Sequence, residues 1–425
     1  MKLRILTCLA TTFLLAALAY GQGNSRYQVF NLGAPLGGRF ATANAVNNAG
    51  WAAGLSNLTG DNTQHAVLWI YGFPIDLGTL GGPNSAVEWP GISNTGEVVG
   101  ISDTARMDPY GEVWSCGAFL PASHAGHTCV GFKWELGRMT PLPTLGGNNG
   151  FATFANDLGQ VAGWAENTVH DPTCAPPQVL QFEAVIWGPR GDVHQLPPYP
   201  GDPDGAATGI NNRGQAIGIS GICQNAVGNQ SATHALLWEN NTPINLGNLG
   251  GTAWNTPMAI NEHGVIVGFS DLTGDQGGAN PNFHAFRWTR PGPMQDLGTL
   301  AGDAISEALG VNSQQQIVGV SYASGFANPR AFIYEGRRMI DLNSLTVPNS
   351  PLYLQVGGYI NDAGVIAGQG CVPGACAPTD PSYAFIAVPT GDGRYDVSIN
   401  AAANGSLAQA LQRSLTAAAM ENGEK

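Results

Sequence analysis

The chain has 425 residues, of which 11% are charged, with 17 Lys and Arg against 30 Asp and Glu and a formal net charge of −13. An acidic balance with no basic run anywhere argues against nucleic acid and anionic membranes as partners. The 59 glycines and short apolar runs fit a turn-dense all-β protein, and the length allows one large repeat array or two to three ordinary domains.

The first 19 residues read as a secretory signal peptide. Lys2 and Arg4 are followed by an apolar stretch from Leu6 to Leu18, too short for a comfortable membrane span, and by a small-x-small cleavage site at Ala17-Leu18-Ala19. No later segment has 18 consecutive apolar residues, so no membrane span is expected. Cys8 lies within the signal. The remaining Cys116, Cys129, Cys174, Cys223, Cys371 and Cys376 are an even set in a secreted context, which predicts disulfides. Six cysteines allow 15 pairings by counting alone. Position narrows them: Cys116 and Cys129 share one insertion and Cys371 and Cys376 another, which leaves Cys174 and Cys223 in equivalent loops of adjacent repeats.

From residue 27 onward a pattern apolar–Asn–x–x–Gly–x–apolar–apolar–Gly occurs seven times. It starts at Val46-Asn47, Ile92-Ser93, Ala155-Asn156, Ile210-Asn211, Ile260-Asn261, Val311-Asn312 and Ile360-Asn361. The closing glycines Gly54 and Gly368 stand six intervals apart, a mean period of about 52 residues, in the range of propellers and similar β arrays. Each period divides into four strand-sized pieces, here called A to D. Strand A ends at the apolar–Asn pair, and strand B closes at the second glycine. Strand C begins with a polar residue and Ala and ends in an aromatic, as in His65–Trp69, His234–Trp238 and His284–Trp288; strand D ends in Asp-Leu-Gly and is followed by Thr-Leu-Gly-Gly, as in Asp76–Gly82. In the A–B turn, Asn caps the backbone and Gly three residues later supplies the positive φ of a type I turn with a bulge. Gln315 stands where the other six copies have that Gly, which predicts either strain or a different turn.

His284-Ala285-Phe286, with its looser copies, carries a family resemblance: the chain is similar to the HAF-repeat family of extracellular repeat proteins over roughly residues 27–389. The resemblance implies secretion and a repeated β fold. It carries no catalytic motif to transfer.

Strands A, B and C each occur seven times, whereas D follows C only six times; the seventh D-like piece is Tyr27–Gly33, ahead of the first A strand. A ring explains this economically, because the N-terminal strand then completes the last blade and leaves no unpaired edge. The expected fold is therefore all-β, a closed seven-bladed β-propeller of four-stranded blades over 27–389. A tail follows at 390–425, in which Ser406 either caps a short helix bearing Leu407, Leu411 and Leu415 or leads into chain of little structure.

Strand alternation puts the B–C loops on one face and the short, uniform A–B turns on the other. The B–C loops are long and variable, as in 102–128 and 165–182, and all six cysteines lie in them or at their edges, so the loop face is the expected ligand face. Trp89 and Trp254 near the starts of A strands, with Tyr110 and Trp114 in the second-repeat insertion, are the candidate ligand-binding aromatics. The histidines His65, His234 and His284 and the aromatics Trp69, Trp134, Trp187, Trp238 and Trp288 sit at fixed repeat positions, which points to strand-end hydrogen bonding and blade packing. The stretches 57–61 and 271–275 offer alternating oxygens but lack the distant bidentate carboxylate of a calcium loop. No nucleophile elbow, phosphate loop, His-Glu-x-x-His or dinucleotide fingerprint occurs, and no metal or cofactor is implied. The reading that follows is a secreted, monomeric, non-catalytic recognition or scaffold protein for an extracellular glycan or protein. The alternative is a secreted propeller enzyme acting on polysaccharide, a lyase or hydrolase, with paired acids drawn from Asp103, Asp108, Glu112, Glu166, Asp171, Asp202 and Asp204.

Overall fold

The computed structural model describes residues 26–112, 114–223, 232–274 and 282–390. The expected signal peptide and tail helix lie outside the described residues. The fold is all-β with propeller architecture. In the first repeat, strands A (Gly37–Val46), B (Ala52–Leu58), C (Gln64–Ile70) and D (Phe73–Asp76) form an antiparallel meander in which each strand pairs with the next. Repeats two to six each form a separate four-stranded sheet of the same order. The last repeat contributes Tyr353–Ile360, Ile366–Cys371 and Ser382–Pro389, and the N-terminal strand Tyr27–Gly33 pairs antiparallel with Ser382–Pro389. A single parallel bridge, Phe40 to Ser382, joins this group to the first repeat.

The A–B turn is built as its composition requires. Asn47 accepts at Oδ1 from the backbone N–H of Ala49 (3.1 Å) and Trp51 (3.0 Å), and Gly50 takes φ +78°. Gln315 keeps the same turn in the sixth repeat. It adopts φ +63°, and its N–H still donates to Asn312 O at 3.0 Å, so the strain alternative holds.

The second glycine of the pattern has a different cause. Strand A carries a bulge opposite it in six of the seven repeats, between Ala43 and Ala45 in the first. The bulge drives a strand A carbonyl against the glycine Cα. A Cβ built on Gly54 would lie 1.9 Å from Thr42 O, and on Gly268 2.1 Å from Thr256 O; all seven copies show the same approach. In the third and fourth repeats the bulged residue's side chain is buried between repeats, where Thr153 Oγ1 and Thr208 Oγ1 donate to Ala207 O and Pro257 O of the next repeat.

Between neighbouring sheets the core is continuous. Ile217, Leu237 and Ile260 pack with Ile266, Phe286 and Trp288 across the fourth and fifth repeats. The strand C tryptophans do the packing expected of them. Trp69, Trp187 and Trp238 are fully buried, and the last two donate from Nε1 to Pro143 O and Pro197 O. The repeat histidines are strand-end partners: His65 bonds Asp76 and His284 bonds Asp296, each at 2.9 Å, while His234 bonds Asp202 at 2.7 Å.

Two stability tests follow from these contacts. Gly214 has φ +71° and open space around it, so Gly214→Ala should cost only the left-handed backbone term, about 1–2 kcal/mol. Gly268→Ala must displace backbone and should cost several times more in denaturant midpoint; equal losses would remove the close-approach explanation. Tyr27 and Val29 are buried against the last repeat. Deleting residues 26–33 should therefore lower stability by at least about 3 kcal/mol and promote association through the bared edge of Ser382–Pro389. An unchanged melting temperature with monomeric elution would contradict it.

Candidate functional site

The A–B turns gather at one end of the molecule, and their asparagines face two ways. While Oδ1 holds the turn, Nδ2 donates to the turn carbonyl of the following repeat. Asn156 reaches Asn211 O (3.0 Å), Asn211 reaches Asn261 O (3.1 Å), Asn261 reaches Asn312 O (2.8 Å) and Asn312 reaches Asn361 O (3.1 Å). The series continues from Asn361 to Asn47 O (2.8 Å), 314 residues back, and from Asn47 to Ser93 O (3.1 Å). Ser93 has no amide to pass the link on. At that step the link between the two turns comes from the next residue along, as it also does beside the asparagine links elsewhere: Asn94 donates from its backbone N and Nδ2 to the Asp157 carboxylate at 2.8 and 3.0 Å.

A second tier is formed by the residue after each asparagine. Asp157 also accepts from Asn212 Nδ2 (3.0 Å), and Glu262 accepts from the Asn212 N–H (3.0 Å). Asp362 accepts from the Ser313 N–H (2.8 Å) and from Asn48 Nδ2 (3.0 Å). Burial works against the Asp362 carboxylate, but the donors from Ser313 and Asn48, with His263 nearby, outweigh it and hold its pKa below the usual range.

The two tiers enclose a well of about 320 Å³ lined by residues from all seven repeats. Its walls are turn amides and the carboxylates Asp157, Glu262 and Asp362. Its inner end carries Phe154 and Tyr359, from the third and seventh repeats, which meet edge-to-face with ring centroids 6.3 Å apart. Two residues before the turn asparagine, the other repeats have Ala45, Gly91, Gly209, Ala259 and Gly310. The two aromatics are thus the exceptions at a small-residue position. The Tyr359 phenol is pushed well above its ordinary pKa by burial and by Asp362, Glu262 and Asp157 around it.

The loop face is organised differently. Trp89 packs edge-on against Phe119, Phe151 and Trp164, and Trp254 against Phe269 and Phe283. Tyr110 is half exposed and meets the His170 ring at 5.6 Å. Trp114 opens the short helix Trp114–Phe119; its side chain lies outside the described residues. Trp89 and Trp254 pack against one buried cluster that includes Phe151, Trp164 and Phe182, whereas Tyr110 stands half exposed beside His170. Disulfides join Cys116–Cys129, Cys174–Cys223 and Cys371–Cys376. In the stretch 57–61, Asp61 accepts the Arg39 N–H at 2.6 Å, a turn contact; Asp275 lies outside the described residues.

The loop acids form a buried network. Glu112 Oε1 accepts from the N–H groups of Val179 (2.8 Å) and Leu180 (2.5 Å), and Glu166 Oε2 from those of Asn148 (3.0 Å) and Asn149 (2.8 Å). Burial, reinforced by Glu112, pushes Glu166 up to about 7. Burial, with Asp171 beside it, pushes Glu183 to about 7. Burial raises Asp204 to about 9; the Phe182 N–H opposes this, while Asp171 and Glu183 reinforce it. These groups tie the second-repeat insertion to the third and fourth repeats.

The well-lining residues escaped the sequence reading because the Asn–Gly turn accounts for itself locally. Two signals were present: a polar residue after every turn asparagine, and Phe154 and Tyr359 at a position otherwise Ala or Gly.

No protein-family model and no curated protein matches the chain. Among solved structures it is similar to the β-propeller domain of the Trilobed protease from Pyrococcus furiosus, at 8% identity and TM-score 0.46 over 83% of this chain and 96% of that one. It is also similar to Porphyromonas gingivalis dipeptidyl peptidase 4 (9%, 0.39, 84% of this chain and 57% of that one) and to puromycin hydrolase (12%, 0.42, 83% and 52%). The chain spans little more than half the length of the last two.

The buried acids set a pH dependence. Carboxyls whose folded pKa is raised bind protons in the folded state at pH values where the unfolded chain has released them. Their stabilisation is complete below about pH 4 and is lost as pH rises through about 7 for Glu166 and Glu183 and about 9 for Asp204. Glu88 and Glu307, raised to about 7 by burial alone, act in the same direction. The depressed Asp76, Asp296 and Asp362 lose their contribution only below about pH 4. The melting temperature should therefore be higher at about pH 5 than at about pH 8, each acid contributing on the order of 1 kcal/mol of stability to the difference. Glu166→Gln should flatten the profile, and a stability that rises across this interval would refute the assignment.

Proposed function

We propose that the chain is a secreted, monomeric, non-catalytic recognition protein of the HAF-repeat type. In this reading it is a ring of seven four-stranded blades that the N-terminal strand completes, and its ligand enters the axial well on the A–B turn face. The single observation that carries this is convergence: polar side chains from every repeat meet around one concave space of about 320 Å³. That volume is at the lower end for small-molecule sites and suits one sugar unit of an extracellular glycan or one side chain of a protein partner. The loop-face tryptophans Trp89 and Trp254, by contrast, have their rings in packing. The three disulfides support an oxidising compartment, and no helix among the described residues is long and apolar enough to cross a membrane. The reading of a polysaccharide lyase or hydrolase would need loop acids that reach substrate. The free oxygens of Glu112, Asp171, Glu183 and Asp204 are instead sealed from solvent.

A glycan array and a pull-down on the secreted protein would supply a ligand. Ser313→Trp at the well, which fills the space with an indole, should then abolish binding. Tyr110→Ala on the loop face should leave affinity within about twofold, since its ring is half exposed at the rim. The reverse pattern would put the ligand on the loop face.

A further inference from the structure

We propose that the axial well selects a protonated amine: an ammonium group carried by a small ligand, an amino sugar or a lysine side chain. The inference rests on the well being the ligand site, and concerns what that site can hold.

The lining contains three carboxylates, Asp157, Glu262 and Asp362, and no Lys, Arg or His. An acid count alone would say little, because carboxylates are often fully engaged by their own surroundings. Here the distribution of donors decides. The N–H groups of the inner tier are committed to turn carbonyls, as the asparagine series shows. In the outer tier, the backbone and Nδ2 donors of Asn94, Nδ2 of Asn212 and Nδ2 of Asn48 go to carboxylates, as do the N–H groups of Asn212 and Ser313. The wall that remains is dominated by acceptors, and the only charged groups on it are negative. Each bound carboxylate still has lone pairs for a further partner, because an ionised carboxylate accepts about four hydrogen bonds. The ligand that matches this lining brings hydrogen-bond donors together with positive charge.

The inner end fits the same group. Phe154 and Tyr359 offer aromatic surface at the bottom of a negatively charged funnel, and a cation is attracted to an aromatic face. An ammonium presents three donors at one point, which suits carboxylates arriving from three different repeats better than a planar guanidinium fork would. An anionic ligand would meet like charge on every side. A neutral sugar would leave the three carboxylates without a charge partner, even though side-chain amides such as Asn94 and Asn212 and the Tyr359 hydroxyl have hydrogens to donate to its oxygens.

The experiment is a calorimetric titration of the full secreted protein with cadaverine, a diamine protonated at neutral pH, and with 1,5-pentanediol, its uncharged counterpart of similar length. Cadaverine should bind and the diol should not. Glu262→Gln, at an exposed site outside the sheet core, should weaken cadaverine about tenfold, and a tenfold rise in salt should weaken it several-fold, because the lip charges are screened. Ser313→Trp should abolish it. If the diol or methyl mannoside binds as tightly as cadaverine and is lost in Ser313→Trp, charge selection is overturned while the well remains the ligand site. If cadaverine binds but ignores both substitutions, its site is elsewhere and both readings fall. If cadaverine does not bind at all, the amine inference is overturned, and the well reading stands or falls on the glycan and protein ligands.

Discussion

Everything at the turn end of this molecule depends on one side chain used in two directions. An Asn amide has an acceptor and a donor side, and each turn asparagine spends them on different jobs. Oδ1 takes two N–H groups of its own turn, and Nδ2 takes a carbonyl of the next repeat. Local turn geometry and the spacing between sheets are thereby fixed by the same group. A buried amide left half paired would be costly, so the two requirements enforce each other. Asp has the acceptor side alone and Ser is too short, so at Ser93 the inner link is missing and the contact of the next residue, Asn94 to Asp157, remains.

This economy has a consequence for the surface it creates. Once the inter-repeat contacts have absorbed most of the N–H groups, what faces the well is mainly carbonyl and carboxylate oxygen. The architecture thus generates an acceptor-lined well without any residue being added for that purpose. Specialisation appears where repeats depart from one another: acids at three of the seven second-tier positions, and two aromatics where the remaining repeats have small residues.

The opposite face solves a different problem. Its insertions are long, and long loops must satisfy their own backbone groups. Buried carboxyls do so here: Glu112 takes two N–H groups from the third repeat's loop, Glu166 takes those of Asn148 and Asn149, and three disulfides add covalent ties. The acids are held where water cannot reach several of their oxygens, so they lean toward the neutral form. The long loops are accordingly a structural layer, with Tyr110 among their few exposed aromatics.

The sequence by itself determined whatever repeats and acts locally. The seven A–B turns, the four strands of each period, the tryptophan that ends strand C in five repeats and the pairing of Tyr27–Gly33 with the last repeat were all legible, because period-two patterning and turn chemistry are properties of neighbouring residues. Proximity in the chain also pointed to two of the disulfides. The tertiary structure alone decided what depends on distant repeats meeting. It showed why the second glycine of the motif is needed, as a site of backbone contact at Thr42 O and its equivalents. It drew Trp89 and Trp254 into aromatic clusters, and it brought Asp157, Glu262, Asp362, Phe154 and Tyr359 around one space. Those five residues span more than two hundred positions of chain, and no local pattern records that the axis of a repeat array will superimpose them.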